Sequence, residues 1–249
     1  MKYGICSEFT GAANALAAGF DYVEVGATSF VALDPFDPAP YRAAHAEASN
    51  LFFPSSIRLF DSGSAPYLEY AEKVIGRASQ IGIQVMVIGS GASRFAPESG
   101  YDERFAKIAA EVNAIAGRYG IKIAPESLNR TETNVGNDLG TFARILRDHG
   151  VGYTADTYHV LFEWAAEGGA GAPSAQHWAE QIPFAPTHVH IANLPRFAPQ
   201  PDDSMLHGFV DRLRELGYDS RVSLECMLPG ADVATLRHAL DGLKALFAR

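Results

Sequence analysis

The sequence predicts an α/β protein in which residues 1–249 form a single (β/α)₈ barrel domain. Three observations predict this fold class. Eight short, mostly apolar segments recur at about 30 residues per unit, helical patterns lie between several of them, and Gly often stands where a helix would end. Short apolar segments of this kind are typical of parallel strands covered on both faces. The length also suits one barrel.

The elements follow in order along the chain. The predicted strands are residues 2–7, 21–26, 51–60, 83–89, 121–126, 151–157, 187–193 and 221–226. Helical spacing of apolar residues is clearest near the C-terminus, at Leu236, Leu240 and Leu243. The second unit is the weakest, because residues 33–50 offer only a short helix. A doubly wound open sheet is the alternative, but residues 5–15 (ICSEFTGAANA) make a poor glycine fingerprint.

Composition narrows the functional class. The net charge of -9 and the scattered basic residues argue against a nucleic-acid surface, which needs clustered Lys and Arg. The two cysteines, Cys6 and Cys226, lie in strand-like runs and are predicted to be buried free thiols. The N-terminus has no apolar core of a signal peptide, and no apolar stretch reaches the ~20 residues of a membrane span. We therefore expect a cytoplasmic protein without a membrane partner.

Residues that can bind metal stand at the ends of four consecutive predicted strands. They are Glu126 on the fifth, Asp156 and His159 on the sixth, His188 and His190 on the seventh, and Glu225 on the eighth. The active site of such a barrel is built at the carboxyl ends of its strands. Three carboxylates with one imidazole suit a divalent ion, with Mn²⁺ first and Mg²⁺, Co²⁺ or Zn²⁺ as alternatives.

Each residue also has a structural interpretation. A glutamate at a strand end is commonly solvated or salt-bridged, and Asp156 could cap the helix that follows it. His188 and His190 alternate along one strand, so both could face the barrel interior as hydrogen-bonded core residues. The joint occurrence on four successive strands is what favours a metal site.

The motifs around these residues resemble the xylose isomerase-like TIM-barrel superfamily, in particular its ketose 3-epimerases and hydroxypyruvate isomerase. The family motif E-P-x-N-R-x-E-T-N stands here as ESLNRTETN from residue 126, and D-T-x-H stands as DTYH at 156–159. H-x-H stands at 188–190 with Arg196 six residues later, and the eighth-strand Glu lies in SLECM. The resemblance covers essentially the whole chain. Ser127 replaces the family's Pro, and FAPQPDD follows Arg196 where the epimerases usually have Pro-Gly.

The resemblance implies roles for individual residues. It implies that the metal ligands are Glu126, Asp156, His190 and Glu225. Glu126 and Glu225 would also form the acid/base pair. The expected substrate-binding residues are Glu132, His159 and Arg196, with His188 beside them.

These residues predict a divalent-metal-dependent sugar isomerase or epimerase. Its glutamates would move a proton next to a ketone through a metal-stabilised enediolate. The alternatives are a metal-dependent dehydratase, a C-glycoside-cleaving enzyme, or a non-catalytic sugar- or metal-binding protein. The expected partner is a small carbohydrate, whether free or phosphorylated, and the resemblance is compatible with a homodimer or homotetramer.

Three other sequence features carry weaker signals. Residues 89–94 (GSGASR) are interpreted as a plain turn rather than an anion-binding nest with Arg94. Glu24 would either reach the pocket or pair with a lysine or arginine. Tyr22, Phe52 and Phe53 are expected in the core or the pocket wall.

Overall fold

Eight parallel strands curve around a common axis and helices cover them from outside. The computed structural model describes residues 1–7, 11–61, 63 and 65–249, so residues 8–10 of the poor glycine fingerprint lie outside the described part. The strands are β1 (Lys2–Cys6), β2 (Tyr22–Gly26), β3 (Ala46–Asn50), β4 (Val85–Ile88), β5 (Lys122–Pro125), β6 (Thr154–Asp156), β7 (His188–Ile191) and β8 (Arg221–Leu224).

The helices lie between and after the strands. They are α1 (Ala12–Ala18), α2 (Ala39–Ala43), α3 (Ala65–Ile81), α4 (Asp102–Gly117), α5 (Leu139–Asp148), α6 (Thr157–Ala166), α7 (Ala175–Gln181), α8 (Ser204–Glu215) and α9 (Val233–Ala248). The helix of the second unit has only five residues, as predicted. In α9 the predicted residues Leu236, Leu240 and Leu243 are buried against the barrel.

The sheet runs in the order β5-β4-β3-β2-β1-β8-β7-β6. Among the described residues, its two ends meet at one isolated parallel bridge, between Glu126 and Thr154. The Thr154 hydroxyl strengthens this junction by donating to the Ala124 carbonyl at 2.9 Å. The result is a nearly closed barrel, which confirms the predicted single (β/α)₈ architecture.

The position of the third strand differs from the prediction. Residues 51–60 were predicted as β3, but the strand is Ala46–Asn50, and Leu51 just after it has a φ of 48°. The physical reason lies inside the barrel, where Ala48 shares a small buried cluster with the Tyr22 ring, Val85 and Ala124. A strand beside this ring needs small residues and so lacks the β-branched pattern that marks its neighbours.

The apolar segment that suggested a strand has another role. Phe52 and Phe53 are buried in the loop after β3, where their rings contact that of Tyr70 on α3 at centroid distances of 6.0 and 5.8 Å. They are core residues, as expected, although they do not lie in a strand. Tyr22 is also buried, as expected.

Cys6 and Cys226 are both free thiols, as predicted, but each is only partly buried. Among the helices of the described residues, none is both long enough and apolar enough to cross a membrane.

Candidate active site

Four side chains meet at the carboxyl ends of neighbouring strands. Glu126 follows β5, Asp156 ends β6, His190 lies in β7 and Glu225 follows β8. One ligand atom from each lies within 4.8 Å of the other three. The first three residues are buried and Glu225 is partly buried. The structure therefore brings together the four residues that were predicted as metal ligands.

Nδ1 of His190 lies at the centre of this cluster. It is 2.7 Å from Glu126 Oε1, 3.1 Å from Glu225 Oε2 and 3.9 Å from Asp156 Oδ2. The two glutamates thus approach the same nitrogen from different strands.

Asp156 performs two tasks with its two oxygens. Oδ1 accepts from the Tyr158 backbone N–H at 2.7 Å and caps α6, as the structural interpretation anticipated. Oδ2 is buried and accepts no hydrogen bond from the described residues. A buried carboxylate oxygen without a donor is costly, and a bound cation would satisfy it.

The cluster concentrates negative charge in a buried space. Burial raises the pKa of Glu126 to about 8; the charge on His190 opposes this rise and the charge on Glu225 adds to it. Burial lowers the pKa of His190, but the carboxylates of Glu24, Glu225 and Glu126 outweigh it and raise the pKa well above its usual value. Three carboxylates and an imidazole fit a hard or borderline divalent cation, which would replace these protons.

His159 lies beside the cluster with a defined orientation. Its Nδ1 accepts from the Asn129 backbone N–H at 3.1 Å, so the neutral ring carries its hydrogen on Nε2. Nε2 points toward the cluster and lies 3.7 Å from Asp156 Oδ2. Asn129 also donates to Glu132 Oε1 at 2.9 Å. Asn129 was not singled out from the sequence; its place between Glu126 and Glu132 in one motif was the available signal.

Arg196 lies across the opening of the site. Its guanidinium is 3.0 Å from Glu225 Oε2 and 3.8 Å from Glu132 Oε1, and it stacks over the Tyr158 ring at 4.6 Å. Its backbone has a φ of 94°, which is unusual for a residue with a side chain. Strained backbone of this kind is often found at functional sites.

His188 lies apart from the cluster. It is two residues nearer the start of β7, fully buried, and its Nε2 lies 2.8 Å from Glu24 Oε2. Its polar partners in the part of the chain that the structure describes include Glu24 and Ser223. It therefore supports the interior rather than facing the opening, where a substrate-binding residue would be expected.

Glu24 pairs with two histidines rather than with a lysine or arginine. Besides His188, it contacts Nε2 of His190 through Oε1 at 2.9 Å. The Glu24 carboxylate is fully buried. Because it contacts the ring nitrogen of His190 that faces away from the cluster, it lies directly behind the cluster. The sequence placed Glu24 on the right strand but did not indicate these partners.

Residues 89–94 form a turn that contains a short 3₁₀ segment, Gly91–Arg94. Arg94 points inward: one of its nitrogens donates to the Glu126 carbonyl at 2.6 Å, and the guanidinium packs over Phe105 at 5.0 Å. Burial lowers its pKa to about 10. Arg94 thus fixes the end of β5, which agrees with the turn interpretation. Arg130 points away from the cluster and pairs with Glu163 at 2.7 Å.

Comparisons with known proteins agree with this architecture. A family model described as xylose isomerase-like TIM barrel matches residues 12–246. Similar solved structures include D-psicose 3-epimerase crystallised in the presence of D-fructose (TM-score 0.80, 18% identity, 100% of both chains covered). They also include L-ribulose 3-epimerase (TM-score 0.79, 18% identity, 99% of this chain and 94% of that one). A third is 3-keto-D-glucoside 4-epimerase from E. coli (TM-score 0.72, 19% identity, 98% and 99%).

No curated protein matches the chain in sequence. At these identities the solved structures establish the fold alone. The family model covers nearly the whole chain, from the start of α1 into α9. The chain therefore belongs to the xylose isomerase-like TIM-barrel family.

Proposed function

We propose that this chain is a divalent-metal-dependent epimerase or isomerase of keto-sugars or related hydroxy-carbonyl compounds. The observation that carries the proposal is the convergence of Glu126 and Glu225 on His190 Nδ1, at 2.7 and 3.1 Å. The similar structures support the substrate class, since two are ketose 3-epimerases and one is a 4-epimerase of a keto-glucoside.

The four clustered residues would hold the ion. They supply three carboxylates and one imidazole. The strongest sign of a bound cation is Asp156 Oδ2, which is buried without a hydrogen-bond donor among the described residues. When bound, a divalent ion would polarise the substrate carbonyl and offset the negative charge that develops next to it. Mn²⁺ is our first choice for this donor set, with Mg²⁺, Co²⁺ and Zn²⁺ as alternatives.

The two glutamates would carry the proton. A carboxyl group whose pKa is raised toward neutrality can both accept and return a proton, and burial acts on Glu126 in this direction. If Glu126 removes the proton from one face of the substrate and Glu225 returns it on the other, the outcome is epimerisation. If one carboxylate moves the proton between neighbouring carbons, the outcome is isomerisation.

Three further side chains would orient the substrate. Nε2–H of His159 and the guanidinium of Arg196 would donate to substrate oxygens, since both are near the cluster. Glu132 is exposed and would accept from a substrate hydroxyl while it holds Asn129. We assign His188 no contact with substrate, because it is enclosed with Glu24 and Ser223.

The test is metal analysis followed by solvent-deuterium incorporation. The protein, loaded with Mn²⁺, is incubated in D₂O with a panel of ketoses and ketose phosphates, and the products are examined by NMR. Deuterium at a carbon next to the carbonyl, with an epimer or aldose as product, supports the proposal. Loss of water from the substrate would instead indicate a dehydratase, and cleavage of a C–C bond to the sugar would indicate a C-glycoside-cleaving enzyme.

Metal binding without turnover of any panel member would contradict the proposal and leave a sugar- or metal-binding protein. The panel also separates free from phosphorylated substrates. Sedimentation analysis of the same sample tests the further proposal of a homodimer or homotetramer.

A further inference from the structure

The buried carboxylate of Glu24 stands behind the proposed metal centre, and both of its oxygens are occupied. Oε1 lies 2.9 Å from His190 Nε2. Oε2 lies 2.8 Å from His188 Nε2 and accepts from the Ser223 hydroxyl at 2.6 Å. A fully buried carboxylate persists only when it is paired and hydrogen-bonded in this way.

The contact with His190 fixes the position of one hydrogen. An ionised carboxylate can only accept, so the hydrogen of the neutral imidazole must be on Nε2. In that neutral form, the one that can bind an ion, Nδ1 keeps its lone pair, and this is the atom that lies among Glu126, Glu225 and Asp156. The same contact holds the ring plane in place.

The remaining contacts hold Glu24 itself. Because the Ser223 hydroxyl donates to Glu24, its oxygen is left to accept from the Tyr22 hydroxyl at 2.8 Å. Tyr22 lies in β2 and Ser223 in β8, and these two strands flank β1 on opposite sides. The hydrogen bonds therefore cross the barrel interior. The carboxylate therefore has little freedom to turn away from His190.

A separate metal site at Cys6, Glu24 and His190 is a competing interpretation, since ligand atoms of these three also lie within 4.8 Å of one another. It would require His190 Nε2 to lose its hydrogen and Glu24 to release its donors. A single imidazole cannot use Nε2 as a ligand and donate from it as well. The hydrogen bonds favour one centre with Glu24 as its outer partner.

We propose that Glu24 is a positioning residue that holds the Nε2–H form of His190 and thereby sets the affinity of the site for a divalent ion. The inference rests on the metal centre of the proposed function. Outer partners of metal-bound histidines commonly contribute roughly 10- to 100-fold to metal affinity.

The first experiment compares Mn²⁺ binding by calorimetry in wild type, Glu24→Gln and Glu47→Gln. Glu47 is the matched control, because it is also a glutamate on a strand, but its ion-pair partners are Lys2, at 2.7 Å, and Arg221 rather than His190. We expect Glu24→Gln to weaken binding by roughly 10- to 100-fold and Glu47→Gln to leave it unchanged. Wild-type affinity in a folded Glu24→Gln protein would overturn the proposal.

The second experiment observes the Nε2–H proton of His190 by NMR in ¹⁵N-labelled, metal-free protein. We expect a downfield, slowly exchanging resonance in wild type and its loss or rapid exchange in Glu24→Gln. A merely structural role would not move this signal selectively. If the resonance is unchanged in the variant, Glu24 does not hold this hydrogen.

Glu24→Asp is the second variant, in case Glu24→Gln fails to fold. It keeps the charge but withdraws the carboxylate by one methylene, so faster exchange and weaker Mn²⁺ binding are expected. Wild-type exchange and affinity in Glu24→Asp would overturn the proposal. If wild type binds no divalent ion, the proposed function fails, while the NMR result still decides whether Glu24 holds His190.

Discussion

Glu126 follows β5 and His190 lies in β7, which is not a neighbour of β5 in the sheet, yet Glu126 Oε1 is 2.7 Å from His190 Nδ1. The barrel curvature and the near closure between β5 and β6 bring them together. Glu126 is thus both a candidate ligand and a candidate base.

The first prediction concerns the proton-transfer pair. Glu126→Gln and Glu225→Gln should each lower solvent-deuterium incorporation into the substrate by about 10²- to 10⁴-fold, because an amide cannot accept the proton. Both variants should still bind metal, though more weakly. Glu163→Gln is the matched control, since Glu163 contacts Arg130 outside the cluster at 2.7 Å and its loss should leave exchange intact. Unchanged exchange in both variants would rule out the two-glutamate mechanism.

The second prediction separates the two oxygens of Asp156. Asn is as good an N-cap as Asp, so Asp156→Asn should keep the cap of α6 and destabilise the metal-free protein by less than about 0.5 kcal/mol. It should nevertheless weaken Mn²⁺ binding by on the order of 100-fold. Residues that only support a ligand already contribute up to about this factor, and Asp156 is proposed to be a ligand itself. Asp138→Asn is the control, because Asp138 caps α5 through the Thr141 N–H at 2.7 Å. Equal Kd values for wild type and Asp156→Asn would contradict the ligand assignment.

The third prediction concerns Gly89, just after β4. A Cβ at this position would lie 2.7 Å from Glu126 Oε2, so Gly89→Ala should displace that carboxylate without disturbing the backbone. A displacement of this kind is expected to lower the exchange rate by about 10²-fold. Gly117→Ala is the control, because a Cβ there meets no atom within 4 Å. Activity in Gly89→Ala equal to that in Gly117→Ala would show that the Glu126 position is not critical.

The fourth prediction concerns pH. Without metal, burial raises the pKa of Glu126 to about 8, and neighbouring carboxylates raise that of His190 above its usual value. Below these values the ligands hold protons that an ion must displace, so metal affinity should fall as pH falls and rise as pH increases through about 8. The slope should approach about tenfold per pH unit for each proton released. Calorimetry in buffers of different ionisation enthalpy measures the protons released, and a pH-independent affinity with none released would contradict the prediction.

The sequence predicted most of the fold because seven strands carry an apolar pattern that depends only on local burial. It failed at β3, where the demand for small side chains comes from the ring of Tyr22, a residue of another strand. No local pattern reports such a demand. The nearby LFFPSSIRLF segment is apolar because its phenylalanines pack on α3, and its apolar pattern therefore resembles that of a strand.

The candidate site shows the same division. Strand ends lie at one face of a barrel, so the positions of Glu126, Asp156, His190 and Glu225 could be predicted from their order along the chain. The orientation of each side chain could not. The bonds from Glu24 to His188 and His190 join residues more than 160 positions apart, and their burial left no charge pattern to indicate the pairing.

The junction between β5 and β6 has a mechanical consequence. In the described part of the chain, the Glu126–Thr154 bridge and the Thr154 hydroxyl join the two strands there, and Glu126 and Asp156 lie at their carboxyl ends. An ion held by both carboxylates would add a link across this junction. Binding of the ion would then stabilise the closed barrel, so the melting temperature and the urea midpoint should increase with the concentration of the ion.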